Sequence, residues 1–165
     1  MNDSRRAFEE ILRVLDRVVG KISAMQQAPR EYGTGVPLYG SEIHTAQAIG
    51  KSVGINVTRL AKKMGVTKGA ASQVVSKLVE KGVVRKARAQ GNAKEVALDL
   101  TELGRTGVRN HERFDMEIFE SVREYCEPDL ERKLDTFLSV MKDFDAILTL
   151  HEERHQRTEL IGKDE

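Results

Sequence analysis

Cysteine occurs once in the 165 residues, proline three times and tryptophan not at all. The one cysteine, Cys126, has no intrachain partner, which excludes a disulfide scaffold and agrees with a reducing compartment. So few prolines suit a helix-rich chain, whereas the missing tryptophan excludes nothing by itself. No apolar run approaches the ~20 residues of a membrane span, and the opening MNDSRRAFEE lacks the apolar stretch of a secretion signal. The expectation is a cytoplasmic protein that has no membrane partner. What is present, 39% hydrophobic and 32% charged residues, suits one folded unit or a small domain with an oligomerisation element.

The net charge of +1 conceals a segregation. From Arg59 to Lys94 ten Lys or Arg face one acid, Glu80, a net +9; from Glu95 to Glu165 ten face nineteen acids, a net −9. A basic middle beside an acidic C-terminal part suits one surface that meets a polyanion, although a solvated lysine-rich surface gives the same counts.

Apolar spacing and punctuation divide the chain. Phe8, Ile11, Leu15, Val18, Ile22 and Met25 recur at steps of three and four, one stripe of a helix, and the stretch from Ala28 to Gly40 reads as a loop. Ser41 is placed to cap a second helix through about Val53, with Ile43, Ala46, Ile49 and Val53 inward. Asn56 caps Val57 to Met64, Gly65 stops it, and Thr67 caps a helix from Lys68 to about Lys81, ended by Gly82. Three residues between two short helices is the turn of a helix-turn-helix. Leu60, Ala61 and Met64 are expected to pack on Ala71, Val74, Val75 and Leu78.

After Gly82 the period shortens to two. Val83-Val84 lead a first strand, Gln90-Gly91-Asn92 is a turn, and Val96, Leu98 and Leu100 alternate with Ala97 and Asp99, so the segment reads as a β-hairpin or wing. Thr101 starts a further helix, and Glu127-Pro128-Asp129 separates it from a last one in which Leu130, Leu134, Phe137, Met141, Phe144 and Leu148 form a heptad-type seam. The terminal stripes at Phe8, Ile11 and Leu15 and at Leu134, Phe137, Met141, Phe144 and Leu148 point to a homodimer. The fold class is mainly α with a small β-wing, a winged helix-turn-helix between long dimerisation helices. Its expected divisions are 1–40, 41–101 and 102–165.

In such a unit the second helix enters the major groove, so its outer face should carry small, polar or cationic residues. Here that face is Lys68, Gly69, Ser72, Gln73, Ser76 and Lys77, with no acid before Glu80. Gln73 can pair with an adenine edge. Arg85, Lys86, Arg88 and Lys94 around Gly91 add cations for phosphates or a minor groove.

The run NVTRLAKKMGVTKGAASQVVSKLVEKGVVRKARAQGNAKEVALDLTELG, residues 56 to 104, resembles the helix-turn-helix and wing of MarR-type regulators. Its most specific elements are Leu78-x-x-Lys81-Gly82 and Leu100-Thr101-x-x-Gly104. Where many members carry Asp-x-Arg at the wing, this chain has Asn92-Ala93-Lys94, and the resemblance implies that Lys94 takes the arginine's place. It also implies a homodimer on a pseudo-palindromic double-stranded operator, repressing transcription, with half-sites about one helical turn apart. Members answer different effectors, so no cofactor is required and a divalent metal or small molecule is a possible effector. A winged-helix module that binds protein instead of DNA is the alternative from another class.

Two constellations suggest other chemistry. His151-Glu152-Glu153-Arg154-His155 matches the zincin pattern H-E-x-x-H, but on a charged helix that continues the seam it suits no enzyme. His111 and Asp115 interrupt the stripe Val108, Ile118, Val122, Tyr125 at i, i+4 spacing. With His44 they form either a metal or effector site or an interhelical polar network. Zinc-responsive members of the resembled family draw ligands from the corresponding helices, which keeps both open.

Overall fold

The computed structural model describes residues 3–89 and 92–161, and the side chains of 3–87 and 96–154. The chain runs α1 (Asp3–Gln27), α2 (Gly40–Gly50), α3 (Val57–Met64), α4 (Lys68–Glu80), β1 (Val84–Ala89), β2 (Asn92–Leu100), α5 (Glu102–Cys126) and α6 (Leu130–Ile161). Mainly α with one two-stranded antiparallel sheet, it has the expected winged helix-turn-helix order.

The capping residues act as their chemistry requires. Asn56 Oδ1 accepts the Arg59 N–H at 2.8 Å, and Thr67 Oγ1 accepts the Ala70 N–H at 3.2 Å, each supplying a partner to a helix-start donor. Gly65 ends α3 at φ 65°, a left-handed conformation that costs glycine least. The core gathers Leu38, Ile43, Ile49, Ile55, Leu60, Val75, Leu78, Val83, Val84, Leu98, Leu100 and Val108 from every element between α2 and the start of α5. Ala61 and Ala71 are buried as expected, whereas Val74 and Met64 are only half-buried.

Two expectations need correction. α2 stops at Gly50, and the turn Lys51 to Gly54 carries Val53 fully into solvent so that Ile55 can enter the core. On β2, Leu98 and Leu100 are buried but Val96 is exposed and Ala97 is buried. The Leu98 N–H donates to the Ile55 carbonyl at 2.8 Å, so the hairpin is covered as far as Leu98 and projects beyond the core at Val96. The turn expected at Gln90-Gly91-Asn92 includes residues 90 and 91, which lie outside the described residues.

Two compact units divide at Asp115/Met116, inside α5. Within the first, α1 approaches α2 closely: a side chain at Gly40 would meet Gln26 at 2.9 Å. Gly104, Gly107, Val108 and His111 of α5 are buried in the same unit. The second unit comprises the end of α5 and α6, and Lys133 Nζ donates to the Cys126 carbonyl at 3.0 Å across the turn between them.

The junction from wing to α5 is set by two adjacent carbonyls. Val83 O accepts the Thr101 N–H at 3.1 Å, the Thr101 hydroxyl donates to the Gly82 carbonyl at 2.6 Å with Val83 O 3.2 Å away, and Thr101 Oγ1 in turn accepts the Gly104 N–H at 3.1 Å. A Cβ on Gly104 would lie 2.1 Å from the Val83 oxygen. Gly104→Ala must therefore force backbone apart, and thermal unfolding should show it destabilised by about 1–3 kcal/mol; an unchanged midpoint would refute the close approach.

Candidate nucleic-acid interface

Helix α4 forms the centre of the site. Ala71, Val75 and Leu78 anchor it in the core, and Lys68, Gly69, Ser72, Gln73, Ser76 and Lys77 are all exposed. Its capped start turns free amide donors outward beside Lys68. The outer face therefore offers hydroxyl, amide and ammonium groups suited to base edges and phosphates.

Behind it lies the wing. Lys86 is exposed, and Arg85 is the cross-strand partner of Asp99, donating through Nε at 3.1 Å and Nη2 at 2.6 Å to Asp99 Oδ2. Arg105 Nη1 of α5 lies 3.6 Å from Asp99 Oδ1. The Arg85 hydrogen bond, aided by the attraction of Arg85 and Arg105, holds the Asp99 carboxyl below its ordinary range. Arg85 is thus an exposed cation paired with Asp99. The side chains of Arg88 and Lys94, which belong to β1 and β2, lie outside the described residues.

Glu42 and Lys81 were not among the sequence candidates. Glu42 is buried in the first turn of α2, and its Oε1 and Oε2 accept from Lys81 Nζ at 2.8 and 2.7 Å. Lys81 is the residue that caps the end of α4, and its Nζ donates also to the Pro37 carbonyl at 2.7 Å. The Tyr39 N–H donates to Glu42 Oε2 at 2.9 Å, so Tyr39 and not Ser41 precedes the helix. Beside the pair, Tyr39, Ser41, Glu42, Val74 and Lys77 line an open cleft of about 280 Å³. The pairing spans 39 residues, beyond any local period, and only the Lys81-Gly82 motif hinted at it.

His44, His111 and Asp115 do come near one another. The two imidazole centroids are 5.0 Å apart, Tyr32 meets His111 edge-on at 5.4 Å, and His111 Nδ1 is 3.7 Å from Asp115 Oδ1. Asp115 is half exposed, and among the described residues no three His, Cys, Asp or Glu are arranged to hold a metal ion. Among the described residues, neither buried nitrogen of His111 has a hydrogen-bond partner. Burial lowers the His111 pKa, opposed by Asp115 and Glu112 and reinforced by His44 and Lys51.

The terminal helices carry the expected apolar stripes. No described residue of α1 is buried: Phe8 and Ile11 are each 52% exposed, and Leu15 is half-buried. On α6, Leu134, Phe137, Met141 and Leu148 are exposed, Phe137 to 65%, and Phe144 is half-buried. His151 is exposed on the same helix, whereas the His155 side chain lies outside the described residues.

Residues 38–95 match the sequence model of the MarR family. An uncharacterized HTH-type transcriptional regulator of Bacillus subtilis, YhjH, is 30% identical over 103 residues; the match covers 59% of this chain and 59% of that protein's length. Among solved structures, Streptococcus pneumoniae FabT in complex with DNA superposes with a TM-score of 0.68 at 23% identity, over 88% of this chain and 99% of that one. Lactococcus lactis ZitR, a zinc-responsive MarR family member, superposes at 0.64 with 19% identity, over 83% of this chain and 97% of that one.

The His111 environment has a consequence in solution. The folded chain takes up a proton there less readily than the unfolded one, so stability should fall as pH drops below the ordinary imidazole value of 6.5. His111→Leu should narrow the difference between melting points at pH 7.5 and pH 5.5, and a difference equal to the parent's would assign the titration to another group.

Proposed function

We propose, on the strength of the match of residues 38–95 to the MarR family model, that the chain is a sequence-specific, double-stranded DNA-binding transcriptional repressor that works as a homodimer. The observation that carries the reading is the outer face of α4, exposed from Lys68 to Lys77, capped at its start and free of acids until Glu80. Gln73, Ser72 and Ser76 read base edges, and Lys68 and Lys77 take phosphates together with the wing cations, among them Arg88 and Lys94. The apolar stripes of α1 and α6 support a second copy as their cover, which would set two recognition helices on a pseudo-palindrome. An effector would act by changing the separation of those helices, since coupling requires a ligand that distinguishes two states. FabT was solved with DNA, which favours this reading over a protein-binding module. The reading requires no metal and no catalytic step.

A duplex titration tests the reading. If six or more phosphates are neutralised, affinity should fall by about a thousandfold between 50 and 200 mM salt, and salt-independent absence of binding would overturn it. Gln73→Ala should relax preference at one base position by about 1–3 kcal/mol, while Lys68→Ala should weaken all sequences alike.

Sedimentation tests the dimer. Phe137→Glu with Met141→Glu places charge on the exposed α6 stripe and should yield monomers that bind the duplex poorly. A parent chain that is itself monomeric at micromolar concentration would refute the dimer.

A further inference from the structure

We propose that the buried Glu42–Lys81 ion pair is a positioning device that fixes the tilt of the recognition helix and thereby sets sequence discrimination. The proposal rests on the DNA-binding reading above.

Three segments meet at the pair. Lys81 Nζ, at the end of α4, reaches both Glu42 oxygens in α2 and the Pro37 carbonyl in the preceding strand-like stretch, and Glu42 also receives the Tyr39 N–H. Lys81 thereby has three oxygen acceptors for its three donors, so its ammonium is fully hydrogen-bonded at the edge of the fold. The Glu42 side chain is 3% exposed and that of Lys81 24%.

Apolar cover is thinner on the side of α4 that faces the cleft, where Val74 is only half-buried against the core. Ala71, Val75 and Leu78 hold its inner face in the core, but Val74 and Lys77 border the cleft of about 280 Å³ toward α2 instead of filling it. The ion pair adds a polar link to the α2–α4 crossing beside that open cleft. Leverage makes the tilt matter: Lys68 lies about 20 Å along the helix from Lys81, so a swing of about 5° displaces the first turn by nearly 2 Å. That exceeds the tolerance of a hydrogen bond to a base edge.

Buried ion pairs are weak contributors to stability, and well-packed apolar replacements often leave stability unchanged or raised. Stability and positioning can therefore be separated. The double variant Glu42→Leu, Lys81→Met keeps the net charge, so its binding to a scrambled duplex and its salt dependence should match the parent's. Against a duplex enriched by the parent from a random 30-base-pair pool, its preference over the scrambled duplex should fall by about tenfold, the worth of one good base contact.

A folded double variant with preference within twofold of the parent's would overturn the proposal. Should it not fold, Glu42→Asp retains both charges and shortens the reach by one methylene; reduced preference at unchanged scrambled-duplex affinity is expected, and unchanged preference overturns the proposal. Failure of the parent to enrich any duplex would refute the DNA-binding reading, a result distinct from either.

Discussion

The carbonyl of Val83 is the constraint on which the winged unit depends. Gly82, at φ 69°, turns the chain out of α4 and its carbonyl accepts the Thr101 hydroxyl at 2.6 Å, while Val83 next to it leads into the wing and accepts the N–H of Thr101, the first residue beyond it. The end of α4, both roots of the hairpin and the start of α5 are thus fixed within one hydrogen-bonded knot. Gly104 lies against the Val83 oxygen with no room for a side chain, so the angle at which α5 leaves is a steric consequence of that contact.

Local grammar was legible in the sequence, and distant pairing was not. Asn56, Thr67, Gly65 and Gly82 mark helix ends through the bonds or dihedrals that their side chains permit, and the structure uses each in that way. The outer face of α4 followed from knowing its inner face. Val53 and Val96 misled for a shared reason: periodicity assumes that cover continues along the element, whereas α2 ends at Gly50 and the hairpin outruns its core after Leu98. The Arg85–Asp99 pair could be found only once the register was known, because alternation gives the face of a residue and not its partner.

The two buried polar sites of the first unit contrast in their chemistry. Glu42 has its oxygens occupied by Lys81 and the Tyr39 amide inside the fold. His111 has two unpartnered nitrogens and is driven toward its neutral form. One site joins helices by charge; the other is a ring packed against Tyr32 and His44.

Asp99, placed between Arg85 and Arg105, occupies the position toward them that a backbone phosphate would take. On the DNA-binding reading proposed above, an arginine already partnered would exchange one anion for another on contact and gain less than a bare one. The wing would then grip unselected sequence lightly and release it easily. An internal competitor of this kind would trade residence on the wrong site for speed of scanning, with α4 left to decide where the search ends.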